Sequence, residues 1–185
     1  TLMNALVGHK LSIITHKAQT TRHRILGILN DKDYQIVFSD TPGVIAPEYK
    51  LQESMMNFVY SAFQDADVLI YMIEVGEKGL KDQKLFGRLK KVDTPLLVLL
   101  NKIDLAEQDF VAKEMERWKE ELPNAELLPI SALNNFNIDV IKNKLLELLP
   151  VCPPYYDKDA ITDKSERFFV EEIIREKILK HYKKE

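Results

Sequence analysis

Two apolar runs that polar residues scarcely interrupt constrain the fold of this chain more than any other feature. Val68–Ile73 and Leu96–Leu100 are too apolar for strands with one face in water, so both are predicted to be strands covered on both faces. A shorter strand is predicted at Glu126–Ile130. The helical segments that alternate with these strands are Leu80–Lys91, Phe110–Leu122 and Ile138–Leu149. In the second of these segments Phe110, Met115, Trp118 and Leu122 fall on or near one face, and Trp118 is predicted to lie in the core. This alternation predicts an α/β fold with a mainly parallel sheet and helices on both of its faces.

A hairpin and a helix are predicted ahead of this alternation. The short apolar runs Arg24–Leu29 and Tyr34–Ser39 flank the turn-forming residues Asn30–Asp33. We expect this hairpin to supply one antiparallel edge of the sheet. Lys50–Asp65 has the spacing of an amphipathic helix. Its predicted inner stripe consists of Leu51, Met55, Phe58, Val59 and Ala62.

Composition places the chain among globular proteins. With 45% hydrophobic and 30% charged residues it falls outside the disordered and collagen-like classes, and 185 residues suffice for one sizeable domain with an appendage. The net charge of −3 does not indicate a nucleic-acid binder, although residues 164–185 lean basic. The single cysteine, Cys152, suits a reducing compartment, and the sequence has no signal-peptide pattern and no apolar stretch of membrane-spanning length. We therefore expect a cytoplasmic protein.

The sharpest functional signal is Asn101-Lys102-Ile103-Asp104, directly after the second buried strand. The Asp104 carboxylate can accept hydrogen bonds from the N1 and N2 donors of guanine, a pair that adenine lacks. The stem of Lys102 can lie along the base, and Asn101 can tie neighbouring loops together. After the last strand, Ser131-Ala132-Leu133 can offer a backbone N–H to guanine O6. Ligands of such folds bind at the carboxyl ends of the strands, where these residues fall.

A second signal, Asp40-Thr41-Pro42-Gly43, follows the hairpin. Asp40 can hold a water on Mg²⁺, which prefers oxygen ligands and keeps part of its hydration shell. Gly43 lets a backbone N–H approach a γ-phosphate with no side chain in the way. In the polar loop before the hairpin, a threonine hydroxyl can complete the Mg²⁺ shell only while the γ-phosphate is present, which makes the loop a switch. Thr20 and Thr21 are both candidates and Thr21 is favoured, so that Thr21 and Gly43 are the predicted catalytic residues.

A phosphate-binding loop of the form Gly-x-x-x-x-Gly-Lys-[Ser/Thr] is not found, because none of the six glycines is followed by Lys-Ser or Lys-Thr. Thr1–Gly8 has apolar residues at helical spacing and a glycine suited to end a helix, but no N-cap and no preceding strand. The phosphate loop normally bridges the first strand and the first helix. We therefore expect it immediately upstream of Thr1 in the intact protein.

These segments together resemble the Era family of bacterial GTPases, part of the wider Era-like group. The most specific segments are Lys17–Arg24 and Phe168–Ile178, of which the latter looks like the start of the family's C-terminal KH domain. The other segments that carry the resemblance are Thr1–Gly8, Ser12–Arg24, Asp40–Gly43, Ser54–Met56, Asp65–Val68, Asn101–Asp104 and Ser131–Leu133. The resemblance implies a Ras-like P-loop G domain over residues 1–150, here without its first strand and P-loop. A proline-rich linker over residues 151–164 and the first helix of a KH domain over residues 165–185 would follow.

The resemblance also implies a function. The family binds GTP or GDP with Mg²⁺ and hydrolyses GTP slowly, in step with assembly of the small ribosomal subunit. Its nucleotide-binding positions correspond to Asp40–Val44, Asn101–Asp104 and Ser131–Leu133, with Thr21 and Asp40 at the metal. A KH domain implies binding to the 3′ end of 16S rRNA, and a peripheral contact with the inner face of the cell membrane is also implied. We expect a monomer.

Val44 stands where many GTPases have a glutamine after Asp-x-x-Gly, and its side chain can neither accept a proton nor orient water. We hypothesise that backbone groups of the switch loop, with a monovalent cation, position the attacking water. Two alternatives stay open. One is a sister Era-like GTPase in tRNA modification or large-subunit assembly, which the residues after Glu185 would distinguish. The other is a non-hydrolysing scaffold; the chain without a phosphate loop is itself expected to be inactive.

Overall fold

The computed structural model describes residues 2–15, 17, 20–45, 47–78 and 83–182. The chain forms two compact units, Thr1–Ala62 with Cys152–Glu185 and Phe63–Val151. The domain bounds predicted from the sequence divide the chain differently and stay a prediction. In chain order the elements are α1 (Leu2–Val7), β1 (Ile25–Asn30), β2 (Gln35–Asp40), α2 (Lys50–Asp65), β3 (Leu69–Glu74), α3 (Gln83–Leu89), β4 (Leu96–Asn101), a 3₁₀ turn (Ile103–Leu105), α4 (Gln108–Glu121), β5 (Glu126–Pro129), α5 (Ile138–Leu148) and α6 (Glu166–His181).

The hairpin of the first unit forms as predicted but pairs differently. β1 and β2 make a two-stranded antiparallel sheet of their own, so the expectation that they supply an edge of the parallel sheet is wrong for the described residues. The other edge of β1 is occupied by residues of the predicted linker. Ile28 N–H donates to Ile161 O over 2.9 Å, and Gly27 forms an antiparallel bridge with Thr162. This pairing satisfies backbone groups that a bare strand edge would leave open.

Helix α1 packs closely on the hairpin at Gly27. A Cβ atom at this position would lie 3.0 Å from Val7 Cγ2 and 3.1 Å from Met3 Sδ, so glycine is what lets the helix approach. The helix ends at Gly8, whose φ of +79° is the left-handed conformation expected of a helix-ending glycine. The predicted end of this helix is confirmed.

Helix α2 has the predicted bounds, but only part of its predicted inner stripe, Met55 and Val59, is buried. Gln52, Met55, Met56 and Val59 are buried, whereas Leu51 of the predicted stripe is 42% exposed. Gln52 turns inward because its Oε1 accepts a hydrogen bond from Glu48 N–H over 2.6 Å, just ahead of the first turn. A polar contact, which periodicity does not register, therefore sets the orientation of this end of the helix.

Helix α6 begins after Ser165, whose side chain accepts a hydrogen bond from Phe168 N–H, as predicted for a helix start. Its buried residues are Glu172, Glu176 and Leu179. Several of its large apolar side chains are exposed instead, and together with Tyr182 directly after the helix they form a stripe of Val170, Ile173, Ile174, Ile178 and Tyr182. Within the described residues, polar contacts hold α6 to the rest of the first unit while its apolar stripe faces outward.

The second unit contains the parallel sheet, with the strands in the order β3-β4-β5. All of Leu96–Leu100 in β4 is buried, which confirms a strand covered on both faces. β3 is an edge strand of this sheet, and its Met72 is 48% exposed. The prediction that Val68–Ile73 is covered on both faces is therefore wrong: of its residues Leu69 and Ile73 are buried and the others are not, because an edge strand is covered less completely than a central one.

The helices of the second unit supply the core around Trp118. This α4 residue is buried, as predicted, and its ring meets those of Tyr71 and Phe86 edge to face, with centroids 6.1 and 6.3 Å away. Phe110, predicted on the inner side of α4, is 46% exposed. The predicted start of α3 at Leu80 lies outside the described residues. Among the helices described, none has the length and apolar character that crossing a membrane requires.

Candidate functional site

The second unit brings together the two motifs predicted to read a base. β4 ends at Asn101 and pairs in parallel with β5, which ends at Pro129, so the loops that follow leave the same edge of the sheet. Lys102 has a left-handed backbone, with φ of 64°, and turns the chain into the 3₁₀ turn. We call Asn101–Asp104 together with Ser131–Leu133 the base-reading cluster.

Two hydrogen bonds lock the loops of the base-reading cluster together. Ser131 Oγ donates to Asp104 Oδ1 over 2.5 Å, and Ala132 N–H donates to Asn101 Oδ1 over 3.0 Å. Ser131 and Ala132 are buried, whereas Asp104 is exposed. The Asp104 carboxylate is therefore held at one oxygen by a buried hydroxyl and still accessible to the N–H donors of a base. The contact of Asn101 with the neighbouring loop agrees with its predicted role.

Two backbone N–H groups of the loop after β5 already donate hydrogen bonds within the chain. Ser131 N–H donates to Phe136 O over 3.3 Å, and Ala132 N–H is engaged with Asn101. The side chain of Leu133 is 76% exposed. Recognition of guanine O6 through this loop would thus use an Ala132 N–H that is shared with Asn101, or the N–H of Leu133.

Glu74, which the sequence reasoning missed, lies beside the base-reading cluster. It is the last residue of β3, opposite Asn101 in the strand register, and its Oε2 lies 2.6 Å from Lys102 Nζ. The available signal was an acidic residue directly after the apolar run Val68–Ile73. Both side chains of this ion pair are about half exposed, at 49% and 50%, so the pair orients Lys102 only weakly.

The first unit holds Asp40 at the last position of β2. Ser12 Oγ donates to Asp40 Oδ2 over 2.5 Å. Burial raises the pKa of the Asp40 carboxyl, and the hydrogen bond from Ser12 opposes part of that rise. A hydrated cation suits such a partly buried carboxylate, because it would favour the ionised form that burial penalises.

Asn4 of α1 fixes the position of Ser12. Its Oδ1 accepts hydrogen bonds from the N–H groups of Leu11 and Ser12, both over 2.9 Å, and its Nδ2 donates to Ser12 O over 2.8 Å. Neither Asn4 nor Ser12 was predicted to matter. The signal for Asn4 was a polar residue within an apolar helical segment, and Ser12 was the first residue of the polar loop.

The two candidate metal-binding threonines differ in their contacts. Thr20 Oγ1 lies 2.6 Å from Thr15 Oγ1 and donates to Lys17 O over 2.6 Å. In the described part of the loop, no such bond is found for the Thr21 hydroxyl, and the choice between the two threonines stays a prediction. Ala18 and Gln19 of the predicted segment lie outside the described residues.

Gly43 is exposed, and a Cβ atom there would meet no atom within 4 Å. Packing in the described chain therefore does not require glycine at this position, in contrast to Gly27. Thr41 and Val44 are half-buried and Pro42 is buried. The open backbone at Gly43 suits close approach by a group from outside the chain, as expected for a γ-phosphate.

The described residues contain no group of three or more histidine, cysteine, aspartate or glutamate side chains that could hold a metal ion. A Mg²⁺ ion bound through a carboxylate-held water, a hydroxyl and phosphate oxygens does not need such a group. Asp40 and Thr21 are the residues of this chain that would hold it. Their roles, like those of the base-reading residues, stay predictions.

The sequence is similar to known GTPases. Residues 1–102 match the family described as 50S ribosome-binding GTPase. The chain is 42% identical over 180 residues to GTPase Era of Staphylococcus haemolyticus, an alignment that covers 97% of this chain and 60% of that protein. The chain thus spans about three fifths of the length of the curated relatives it matches.

The fold is similar to solved structures of Era. A tyrosine-to-alanine variant of Aquifex aeolicus Era bound to GDP·AlF4− matches with a TM-score of 0.93 and 34% identity, over 100% of this chain and 64% of that one. Era in complex with MgGDPNP and nucleotides 1506–1542 of 16S ribosomal RNA matches with the same score and identity, over 100% and 63%. The predicted α/β P-loop G-domain fold is confirmed. With more than half of its residues matching the family, the chain belongs to the 50S ribosome-binding GTPase family and, within it, to the Era type.

Proposed function

We propose that the intact protein binds guanine nucleotides and hydrolyses GTP. The observation that carries this proposal is the Asp104 carboxylate, exposed but fixed by the buried Ser131 hydroxyl at the end of a buried strand. Guanine presents two N–H donors to such a carboxylate and adenine does not, so adenine would leave it unpaired. The Era-type membership of the chain supports the proposal.

Hydrolysis rests on the residues around Asp40. Phosphoryl transfer depends mostly on positioning and on charge stabilisation. Asp40 and Thr21 would hold Mg²⁺, which when bound neutralises charge on the phosphates. The side chain of Val44 offers no proton acceptor, so backbone groups of the switch loop, with a monovalent cation, orient the attacking water in this proposal. The solved Era structures with GDP·AlF4− and MgGDPNP agree with a magnesium-dependent GTPase.

The proposal extends to assembly of the small ribosomal subunit. The supporting observations are an Era structure that contains nucleotides 1506–1542 of 16S ribosomal RNA and the outward-facing apolar stripe of α6. In this proposal the stripe is covered by the rest of a KH domain, which makes the RNA contact. A cytoplasmic monomer with peripheral membrane contact completes the proposal. The alternative is a sister GTPase in large-subunit assembly or tRNA modification. The observation in favour of large-subunit assembly is the family description, which refers to the 50S subunit.

Competition binding tests the nucleotide proposal. The intact protein is titrated with fluorescently labelled GDP and then with unlabelled GDP or ADP as competitor. GDP is expected to compete at least about 1,000-fold better than ADP, because a site built to bond a donor pair strongly rejects a ligand without it. Equal competition by ADP would contradict guanine recognition.

Hydrolysis and RNA binding are measured separately. GTP turnover is expected to require Mg²⁺ and to rise with K⁺ at constant ionic strength, and its absence in the intact protein would favour the scaffold alternative. An oligonucleotide from the 3′ end of 16S rRNA is compared with a large-subunit rRNA fragment of equal length. Preference for the 16S oligonucleotide supports the small-subunit assignment, and preference for the other fragment supports the sister GTPase.

A further inference from the structure

Glu176 of α6 is a buried charged group that the proposed function does not use. Its side chain is 2% exposed and accepts hydrogen bonds from Lys10 Nζ over 2.8 Å, Ile14 N–H over 3.2 Å and Lys180 Nζ over 3.0 Å. The pKa of Glu176 is lowered to about 2, mainly because of the hydrogen bond from Lys10. Burial has the opposite effect and raises the pKa in part. Two of these three donors belong to the loop that follows α1, more than 160 positions away in the chain.

The loop segment that Glu176 holds carries Ser12. Lys10 and Ile14 lie two positions to either side of Ser12, and Ser12 donates its hydroxyl to Asp40. Asn4 binds the same segment from α1 through three hydrogen bonds. Segment 10–14 is therefore fixed by α1 and by α6, and its serine is presented to the carboxylate at the end of β2.

Arg175 provides a second, independent contact between α6 and the switch loop. Its NH2 group donates to Thr20 O over 2.5 Å, and its guanidinium is held by Glu172 through bonds of 2.8 and 2.6 Å. Thr20 directly precedes Thr21, the predicted metal-binding threonine. Neighbouring residues of α6 thus contact two segments: segment 10–14, whose Ser12 donates to Asp40, and the segment that bears Thr21.

We propose that Glu176 is a positioning residue for magnesium binding. By holding segment 10–14 it keeps the Ser12 hydroxyl on Asp40, and it thereby sets the Mg²⁺ concentration at which the intact protein binds GTP. The inference rests on the proposed function, since it assigns a further residue to the same site. It follows that the packing of α6 against the rest of the first unit and the affinity for Mg²⁺ are linked.

The test compares Glu176→Gln with Glu171→Gln in the intact protein. Glutamine preserves the shape of Glu176 but removes the charge that binds Lys10. Glu171 is a matched control because it lies on the same helix and pairs with Arg167, with its side chain 62% exposed.

The measurements are the Mg²⁺ concentration for half-maximal affinity of a non-hydrolysable GTP analogue, and the affinity for GDP without Mg²⁺. Glu176→Gln is expected to raise the required Mg²⁺ by about 5- to 20-fold and to leave Mg²⁺-free GDP affinity within about twofold; Glu171→Gln is expected to match the wild type.

Two further variants separate positioning from general stability. Lys10→Gln removes the partner from the loop side and should shift the Mg²⁺ requirement in the same direction. In a Ser12→Ala background, Glu176→Gln should have little additional effect, because the connection to Asp40 is already broken. Because the Lys10 side chain is 57% exposed, Lys10→Gln is expected to fold. It therefore tests the role of the Glu176–Lys10 pair even if Glu176→Gln does not fold.

The inference is overturned if Glu176→Gln and Lys10→Gln both keep the wild-type Mg²⁺ requirement, or if Glu176→Gln acts equally with and without Ser12. A wild-type protein that binds no guanine nucleotide, or binds the GTP analogue without regard to Mg²⁺, contradicts the proposed function itself. Failure of the inference and failure of the proposed function therefore give different results.

Discussion

The base-reading cluster and the surroundings of Asp40 are held together by contacts of different range. In the base-reading cluster the two locking hydrogen bonds join residues 27 and 31 positions apart, at the ends of neighbouring strands. Around Asp40, the segment that carries Ser12 is held by Glu176, 162 and 166 positions away from its two donors there. The base-reading cluster thus follows from one parallel strand pair, whereas the surroundings of Asp40 depend on a helix near the far end of the chain. Changes to α6 should therefore affect the surroundings of Asp40 and leave the base-reading cluster unchanged.

The largest effect is expected from Asp104→Asn. The amide replaces one acceptor with a donor that opposes the N2 donor of guanine, so GDP affinity should fall by about 100- to 10,000-fold while xanthosine diphosphate, which has an oxygen at that position, gains affinity. Isothermal titration with both nucleotides measures this change. A loss of GDP affinity below about tenfold would show that the base is read elsewhere.

The next effect is the contribution of Glu176 to stability. Because its folded pKa is lowered from 4.5 to about 2, its stabilisation is fully present above pH 4.5 and is lost as the pH falls toward 2. The shift corresponds to a contribution on the order of 3 kcal/mol. Urea unfolding of the wild type and Glu176→Gln should therefore differ most at pH 7, differ less at pH 3 and converge only as the pH approaches 2. A difference that stays constant across this range would exclude the ion-pair origin.

A pair of glycines gives the third effect, within the first unit. Gly27→Ala should lower the free energy of unfolding by about 1–3 kcal/mol, because the new Cβ atom meets Val7 and Met3 at 3.0 and 3.1 Å. Gly43→Ala should change it by less than about 0.5 kcal/mol, yet weaken binding of a GTP analogue more than that of GDP. Thermal unfolding and nucleotide titration of both variants measure this contrast. Equal effects on stability would contradict the packing described for Gly27.

The smallest effect is expected from Glu74→Gln in the second unit. Its ion pair with Lys102 is half exposed, so its loss should change GDP affinity by no more than about 0.2–1 kcal/mol and should matter less at high salt. Titrations at two salt concentrations measure this. A tenfold loss that persists at high salt would instead place Glu74 in direct contact with the nucleotide.

How far the sequence predicts each region follows from the range of its contacts. The base-reading cluster was predictable because Asn101 ends a strand that periodicity identifies, and because parallel neighbours end at the same edge. Ser165 at the start of α6 and Trp118 in the core were predictable for equally local reasons. Asn4, Ser12 and Glu176 carried no such signal, since their side-chain contacts join loop, helix and strand residues at separations that follow no helix or strand period.

The departures in the fold have the same origin. An apolar pattern indicates which residues avoid water, but not which strand edge will pair with a distant segment, as Ile161 does with Ile28. It also misses the polar residues that are buried where a polar contact decides, as at Gln52 in α2 and at Glu176 in α6. Short-range motifs could be located from the sequence, whereas the groups that hold them could not.

The most direct test of guanine recognition by Asp104 compares GDP with inosine diphosphate, which lacks only the N2 amino group. The wild-type protein is titrated with both, and the titrations are repeated with Asp104→Asn. Wild-type protein should bind GDP about 10- to 100-fold more tightly, as expected for one hydrogen bond to a charged acceptor, and the variant should lose that preference. Equal affinity of the wild type for the two nucleotides would contradict the role assigned to Asp104.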